Sequence, residues 1–149
     1  MRPASSNSSY ALGTLDWFGM VNIRIQRPSS RSVLTVLKDC DPALLNDLAF
    51  VRGTMLSAAS EAGGTILGES FHEFTPQGVT GIVVIAESHL CIHTWPEYGY
   101  AAVDIFTCGD SFVPQEAANY LIEQLRSQDT SVTELQRGII PQRASTAQS

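Results

Sequence analysis

The chain has 149 residues and 44% of them are hydrophobic, so it is long enough to form one domain with a substantial core. Its formal net charge is -6 and its nine lysine and arginine residues are scattered, which excludes a basic surface for nucleic acid or for an anionic membrane. An odd number of cysteines, the lack of a secretory signal and the lack of an apolar run of about 18 residues predict a soluble cytoplasmic protein without a membrane span.

The N-terminal part of the chain is rich in serine and has no periodic pattern. We expect residues 1–32 to form a flexible extension that ends in the linker "IQRPSSRS". Within this extension, "LDWFGMVNIRI" is compatible with a strand or with an irregular segment packed on the core. The domain is expected to cover residues 33–138, and a tail of residues 139–149 follows it.

The domain is predicted to begin with a strand, "VLTVL", and a helix. Asp41 is a good helix N-cap, and Pro42 suits the first helical position because its missing N–H costs nothing there. Apolar side chains then recur every three or four residues, at Leu44, Leu48, Val51, Met55 and Ala59. Gly63 and Gly64 supply a left-handed stop, so one helix with one buried face is expected.

Short β-like runs follow at regular spacing and predict an antiparallel meander. They cover residues 65–74, 81–87, 89–95 and 100–106, with turns at "TPQG" and "PEYG". A second amphipathic helix is expected over residues 114–127, and a closing strand over residues 131–136. This order of elements predicts an α+β fold, a two-layer α/β sandwich whose largely antiparallel sheet has helices on one face. The other face must be solvated, covered by a partner chain or used for binding.

The stretch "AESHLCIHTWPEYGY" concentrates reactive side chains directly after an apolar strand. Alternation along a strand puts its side chains on two faces. One face receives Leu90, Ile92 and Thr94, and the other receives His89, Cys91, His93 and Trp95. The side chains that could take part in a reaction are therefore predicted to lie on one face of the strand.

Two familiar kinds of site fit this stretch poorly. Nitrogen and sulfur ligands for zinc are present in sufficient number, at His72, His89, His93, Cys91 and Cys108. Their spacing matches no common ligand pattern, so we expect no metal site. A cysteine nucleophile paired with His93 would resemble a hydrolase, but no local nucleophile signature accompanies either cysteine.

The Glu87-Ser88 peptide bond offers a third kind of chemistry. A serine hydroxyl can attack the carbonyl carbon of the preceding residue when the backbone is strained and the oxyanion is stabilised. The amide then becomes an ester. A base that removes the serine α-proton expels the ester as a carboxylate, and the remaining dehydroalanine hydrolyses to ammonia and a pyruvoyl group.

The block "GVTGIVVIAESHLCIHTWPEYGYAAVDIFTCGD", together with "DCDPALLNDL" and "ESFHEF", resembles the short prokaryotic form of the S-adenosylmethionine decarboxylase proenzyme. The likeness extends from about Val33 to Gly138. It implies self-cleavage between Glu87 and Ser88 into residues 1–87 and 88–149. It also implies a covalent pyruvoyl cofactor made from Ser88, which forms a Schiff base with the substrate.

The resemblance assigns a role to each matching residue. It implies that His93 takes the serine α-proton during processing, that Cys108 protonates the product carbanion, and that Thr80 supports processing. For the substrate, it implies that Phe74 stacks on the adenine and that Glu97 binds the ribose hydroxyls. It also implies that Leu90 and Trp95 line the same pocket. A cysteine thiol stays largely protonated at neutral pH, which suits a proton donor.

The activity implied by the resemblance is decarboxylation of S-adenosylmethionine, which yields the aminopropyl donor for spermidine synthesis, by a homodimer of processed units. Two alternatives remain open at this point. One is a pyruvoyl-dependent decarboxylase of ornithine or arginine, and the other is an unprocessed homologue that acts as a binding or regulatory subunit.

The sequence departs from the family pattern in two regions. Thr80 stands where the family usually has a serine, and its β-branch restricts the rotamer of the hydroxyl. The first strand, "SSRSVLTVL", keeps only Arg31 of a usual Gly-Arg-His segment, and the usual acidic residue is also missing. We expect this second change to affect dimer contacts and part of the substrate pocket.

Overall fold

The computed structural model describes residues 30–86 and 88–137. The strands in these residues are β1 (Ser30–Lys38), β2 (Ile66–Glu73), β3 (Val79–Ile85), β4 (Ser88–Trp95), β5 (Tyr100–Thr107) and β6 (Asp129–Arg137). The helices are α1 (Pro42–Leu45), α2 (Leu48–Glu61) and α3 (Pro114–Gln124), and a single 3-10 turn covers Pro96–Tyr98.

The six strands form one sheet in the order β2-β3-β4-β5-β1-β6, and every neighbouring pair is antiparallel. Helices α2 and α3 pack across it, α2 on β2 and β3, and α3 on β1 and β5. The predicted α+β fold with helices on one face is therefore confirmed. Within the sheet, Thr80 lies opposite His93, while Ser88 lies opposite both Ile85 and Thr107.

Strand β1 begins earlier than the sequence pattern predicts. Ser30 to Ser32 were expected in a linker, but both serines are buried and all three residues pair with β6. Ser30 Oγ also donates a hydrogen bond to the Arg137 carbonyl oxygen at 2.8 Å. These polar residues can extend the strand because it runs between two other strands, which satisfy its backbone groups. The segment "LDWFGMVNIRI" and the predicted C-terminal tail lie outside the described residues.

The single predicted helix after β1 is divided into two. Asp41 caps α1 as expected, with its side chain accepting a hydrogen bond from Ala43 N at 3.0 Å. A second aspartate, Asp47, caps α2 by accepting from Phe50 N at 2.9 Å. Between them, Asn46 Oδ1 accepts a hydrogen bond from Gly78 N at 2.9 Å, which ties the break to the turn between β2 and β3. Two consecutive residues with strong capping preference therefore end one helix and start another.

The core lies between the sheet and the helices. Its largest fully buried side chains come from β1, β4 and β5 on the sheet side and from α2, α3 and the segment before α3 on the helix side: Val33, Leu37, Leu90, Ile92, Ile105, Val51, Met55, Leu121 and Phe112. The opposite face of the sheet has no helix over it in the described residues, and we call it the open face. Exposed apolar side chains on it are Leu34, Val84, Trp95 and Leu135.

No helix in the described part of the chain is long and apolar enough to cross a membrane.

Candidate active site

Strand β4 sorts its side chains as the alternation predicts. Leu90, Ile92 and Thr94 are buried against the helices, whereas His93 and Trp95 are exposed on the open face, and His89 and Cys91 are half-buried there. Thr94 is the polar member of the buried set, and its hydroxyl is satisfied by Leu45 O at 2.9 Å and Val79 N at 2.8 Å. The four candidate side chains of β4 from His89 to Trp95 therefore lie on the open face.

Thr80 and His93 form a hydrogen-bonded pair across β3 and β4. Thr80 Oγ1 lies 2.6 Å from His93 Nδ1 and 3.3 Å from the Ile92 carbonyl oxygen. The donor and acceptor in the contact between Thr80 Oγ1 and His93 Nδ1 depend on the tautomer of His93. In the tautomer protonated at Nδ1, the threonine hydroxyl donates to the Ile92 carbonyl and its oxygen accepts from Nδ1–H, which leaves Nε2 able to accept a proton. The two residues line a shallow depression of about 200 Å³ with Ser70, His72 and Cys91.

Ser88 and Cys108 form a second pair, at the other end of β4. Ser88 Oγ lies 3.6 Å from Cys108 Sγ, and Cys108 is exposed. The φ of Ser88 is 152°, a backbone conformation that residues other than glycine rarely adopt. Strain of this kind concentrates at reactive sites. Glu87, the expected donor of the scissile carbonyl, lies outside the described residues.

The two pairs do not meet within one chain. His93 follows Ser88 by five residues along a regular strand, so their Cα atoms are about 16 Å apart at about 3.3 Å per residue. The expectation that His93 of the same chain lies within reach of Ser88 is therefore wrong. The pairs instead occupy opposite ends of β4. At one end His93 lies opposite Thr80 of β3, and at the other end Ser88 lies opposite Thr107, the residue before Cys108.

The predicted substrate residues lie mainly at the His93 end. Phe74 follows β2 with 49% of its surface exposed, and Trp95 ends β4 with 39% exposed. Glu97 belongs to the 3-10 turn, and its Oε2 accepts a hydrogen bond of 3.0 Å from Gln77 Nε2. Leu90 is different, because its side chain is fully buried against the helices and cannot line a pocket on the open face.

The histidines and cysteines do not form a metal site. Among residues 30–86 and 88–137, no three side chains of the His, Cys, Asp and Glu types converge as a metal would need. Cys91 is half-buried on the open face opposite Asp104 of β5. Burial, and next the nearby Asp104 carboxylate, raise the pKa of the Cys91 thiol above its ordinary value. Cys91 therefore stays a neutral thiol at neutral pH.

The departure from the family pattern in β1 lies beside the Ser88 end. Arg31 is opposite Thr107, the residue that also pairs with Ser88, and its guanidinium lies 4.0 Å from Glu134 of β6. Ser32 Oγ accepts a hydrogen bond of 3.2 Å from Arg137, whose guanidinium stacks 4.8 Å above the Phe106 ring. The replaced residues are thus integrated into the sheet.

The sequence analysis did not identify two residues that lie near the candidate site. Gln77 holds the Glu97 carboxylate, and nothing in a turn sequence marks such a partner. Thr107 is completely buried opposite Ser88, and its hydroxyl has no hydrogen-bond partner in the described part of the chain. A polar residue at a core position of an apolar strand, directly before Cys108, was the available signal.

Comparison with known proteins identifies relatives of the whole described region. Residues 31–138 match the family model described as S-adenosylmethionine decarboxylase. A protein of Thermodesulfovibrio yellowstonii named S-adenosylmethionine decarboxylase proenzyme is 52% identical over 111 residues, which cover 74% of this chain and 82% of that protein. One of the same name from Pelotomaculum thermopropionicum is 53% identical over 112 residues, 75% of this chain and 89% of that protein.

The fold also matches a solved structure. The crystal structure of the adenosylmethionine decarboxylase from Aquifex aeolicus superimposes with a TM-score of 0.73 at 32% sequence identity. The match covers 80% of this chain and 98% of that one.

Proposed function

The chain belongs to the S-adenosylmethionine decarboxylase family, and we propose that it is a proenzyme that cuts itself before Ser88 and then decarboxylates S-adenosylmethionine. The observation that carries the proposal is the environment of Ser88. Its backbone is held at φ 152°, and its hydroxyl lies against the Cys108 thiol at the end of a strand. The product would be the aminopropyl donor for spermidine synthesis.

Self-cleavage needs no outside reagent except water. Ser88 Oγ bonds to the carbonyl carbon of residue 87 as the C–N bond breaks, and the hydroxyl proton passes to the nitrogen. A base then removes the α-proton, the Cβ–Oγ bond breaks, and residue 87 leaves as a carboxylate. The remaining dehydroalanine tautomerises to an imine, and water converts it to a ketone with release of ammonia. The ketone and the adjacent amide carbonyl are the pyruvoyl group.

His93 is the residue best suited to remove the α-proton. Its Nδ1–H is engaged by Thr80, which is in turn engaged by the Ile92 carbonyl, so the free Nε2 is a fixed proton acceptor. Thr80 is therefore a positioning residue for His93. The extra methyl group of threonine does not prevent this contact.

A second copy of the chain would bring the two pairs together. Ser88 and His93 lie at opposite ends of β4, so His93 must come from another chain if it acts at Ser88. The open face carries exposed apolar side chains and no covering helix in residues 30–86 and 88–137. Two such faces bury each other when they pack about a twofold axis between them, and an axis perpendicular to β4 places the His93 end of one copy over the Ser88 end of the other. We therefore assign the function to a homodimer.

The residues around Ser88 fit a pyruvoyl group at this position. Once formed, that group supplies a reactive ketone for the substrate amine and a sink for the electrons released with carbon dioxide. Cys108 lies 3.6 Å from the Ser88 side chain, close enough to deliver a proton to the reacting carbon. Cys108 is therefore the proton donor of the decarboxylation.

The adenosine part of the substrate is assigned to the His93 end of the open face. Phe74 presents a half-exposed ring on which adenine can stack, and Trp95 is exposed at the same end of the sheet. Glu97 keeps Oε1 available for the ribose hydroxyls, because Gln77 binds only Oε2. The stack contributes about 0.5–1.5 kcal/mol and a hydrogen bond to a carboxylate about 1.5–3 kcal/mol, so the two together favour S-adenosylmethionine over ornithine or arginine.

The proposal is tested by the mass of the purified protein. We expect two fragments, residues 1–87 and 88–149, with the second beginning in a pyruvoyl group, and a Ser88→Ala chain that stays whole. The processed protein should release carbon dioxide from S-adenosylmethionine faster than from ornithine or arginine. If the wild-type chain stays whole after long incubation, the proposal fails and the alternative of an unprocessed regulatory subunit is favoured. If carbon dioxide is released faster from ornithine or arginine, the proposed substrate is wrong but the proposed self-cleavage stands.

A further inference from the structure

A buried hydroxyl lies beside the proposed cleavage site and makes no hydrogen bond within the described residues. Thr107 is the last residue of β5, its surface is 0% exposed, and its Oγ1 has no hydrogen-bond partner among residues 30–86 and 88–137. Leaving a buried hydroxyl unpaired costs about 1–3 kcal/mol. Valine has the same shape and would avoid that cost, so the hydroxyl needs another explanation.

Thr107 is directly adjacent to the reacting residue. It is the cross-strand partner of Ser88 and the chain neighbour of Cys108. Side chains of directly opposed residues in an antiparallel pair lie about 5 Å apart at Cβ. In the uncleaved chain the Ser88 hydroxyl is turned toward Cys108, at 3.6 Å, and Thr107 Oγ1 is left unpaired.

Buried threonines elsewhere in the sheet show how the fold treats a hydroxyl with a structural role. Thr94, on the same side of the sheet, bonds to the Leu45 carbonyl and to Val79 N. The other unpaired buried hydroxyl among the described residues is Thr35 of β1, whose cross-strand partners are Val103 and Val132. Thr107 thus combines an unpaired hydroxyl with a reacting neighbour, and Thr35 is its natural control.

We propose that Thr107 is a catalytic residue of self-cleavage, with Oγ1–H donating a hydrogen bond to Ser88 Oγ as that oxygen leaves. This inference rests on the proposed self-cleavage. In the elimination, the α-proton is taken by the base, the Cβ–Oγ bond breaks, and Ser88 Oγ departs with the bonding pair as an oxygen of the new carboxylate. Negative charge therefore develops on this oxygen only in the second step.

A donor in this place acts strongly because it is buried. Away from water, a fixed hydroxyl stabilises developing charge without a cost of reorientation. In the uncleaved chain the serine hydroxyl is turned toward Cys108, which leaves the donor unpaired before the reaction starts. Thr107 and His93 then divide the elimination between them, the hydroxyl at the leaving oxygen and the imidazole at the α-proton.

The test compares Thr107→Val with Thr107→Ser and Thr35→Val. We expect Thr107→Val to cleave about 100-fold more slowly, as is typical for loss of one charge-stabilising donor, and to accumulate the ester, which hydroxylamine cuts at residue 88. Thr107→Ser keeps the hydroxyl and should cleave within a few-fold of wild type. Thr35→Val removes an equally buried, unpaired hydroxyl far from Ser88 and should cleave at the wild-type rate.

The outcomes separate this inference from the proposed function. Thr107→Val cleaving at the wild-type rate while wild type also cleaves overturns the role of Thr107 and leaves self-cleavage standing. Slow cleavage without a hydroxylamine-sensitive ester overturns the assignment to the leaving oxygen. A wild-type chain that never cleaves overturns both. Because valine removes an unpaired buried hydroxyl, we expect the melting temperatures of both valine variants to be at or above that of wild type, and such values exclude slow cleavage through misfolding.

Discussion

Two side-chain contacts lie at the two ends of β4, and the proposed function divides the chemistry between them in time. In that proposal, the Thr80–His93 contact positions a proton acceptor that is needed only while the chain processes itself. The Ser88–Cys108 contact would join the residue that is converted to the residue that acts afterwards, in turnover. Substitutions at the two contacts should therefore affect different measurements, one the mass of the chain and the other its activity.

The Cys108→Ser variant tests this division at the residue in contact with Ser88. A serine hydroxyl is a much weaker proton donor than a thiol, while its volume is nearly the same. We expect carbon dioxide release from S-adenosylmethionine to fall tenfold or more, each tenfold being about 1.4 kcal/mol of barrier. The measurement uses only chain already shown by mass to be cleaved, and Cys91→Ser serves as the matched control on the same face. Equal turnover of the cleaved Cys108→Ser enzyme and wild type would remove Cys108 from the reaction.

At the scale of the elements, the sequence patterns were most reliable where one side-chain period dominates. Alternation alone was enough to separate Leu90 and Ile92 from His93 and Trp95 along β4, because a strand buried on one face leaves little freedom. The break between α1 and α2 was missed because the apolar spacing continues through it, and Asn46 acts through a contact with Gly78 that is distant in sequence. The start of β1 was missed because its serines are polar and find partners only in β6.

Contacts between residues distant in sequence also limited what could be predicted about the candidate site. The stretch from Ser88 to Glu97 could be marked from its residue types, but the separation of about 16 Å between Ser88 and His93 follows from the strand being straight and regular. Proximity along the chain was taken for proximity in space. Thr107 was missed for another reason. The sequence shows a polar residue at a core position of an apolar strand, but only the folded structure shows that its hydroxyl is unpaired among the described residues.

The pairing of β2 with β3 offers a test of how the edge strand β2 is held in the sheet. Gly81 lies opposite Phe71, and the ring covers the space that a Cβ at residue 81 would need. We expect Gly81→Ala to displace the ring and to lower the free energy of unfolding by about 1–3 kcal/mol. Gly53→Ala is the matched control, because nothing lies within 4 Å of that position in α2. There alanine should stabilise by about 1 kcal/mol. Urea unfolding measures both, and a Gly81→Ala protein as stable as wild type would mean that the Phe71 ring moves freely.

At the scale of the whole molecule, the proposed function needs more than one chain. Each copy has the serine end and the histidine end, and these lie at opposite ends of β4. The proposed twofold dimer that covers the open face would make two complete sites, each with Ser88 and Cys108 from one copy and Thr80 and His93 from the other. The apolar residues exposed on that face would then be interface residues.

Mixed dimers provide the decisive test of this arrangement. A Ser88→Ala chain keeps His93 but cannot be cut, and a His93→Ala chain keeps Ser88 but lacks the base, so neither should be processed when expressed alone. When the two are co-expressed in equal amounts, random pairing puts about half of the His93→Ala chains in mixed dimers. There the Ser88→Ala partner supplies His93, and we expect up to half of the His93→Ala chains to be cut. The fragments are assigned by mass, since the two chains differ in composition. If His93 acted on its own chain, the His93→Ala chains would stay whole in the mixture as well, and the dimer would have no part in the chemistry.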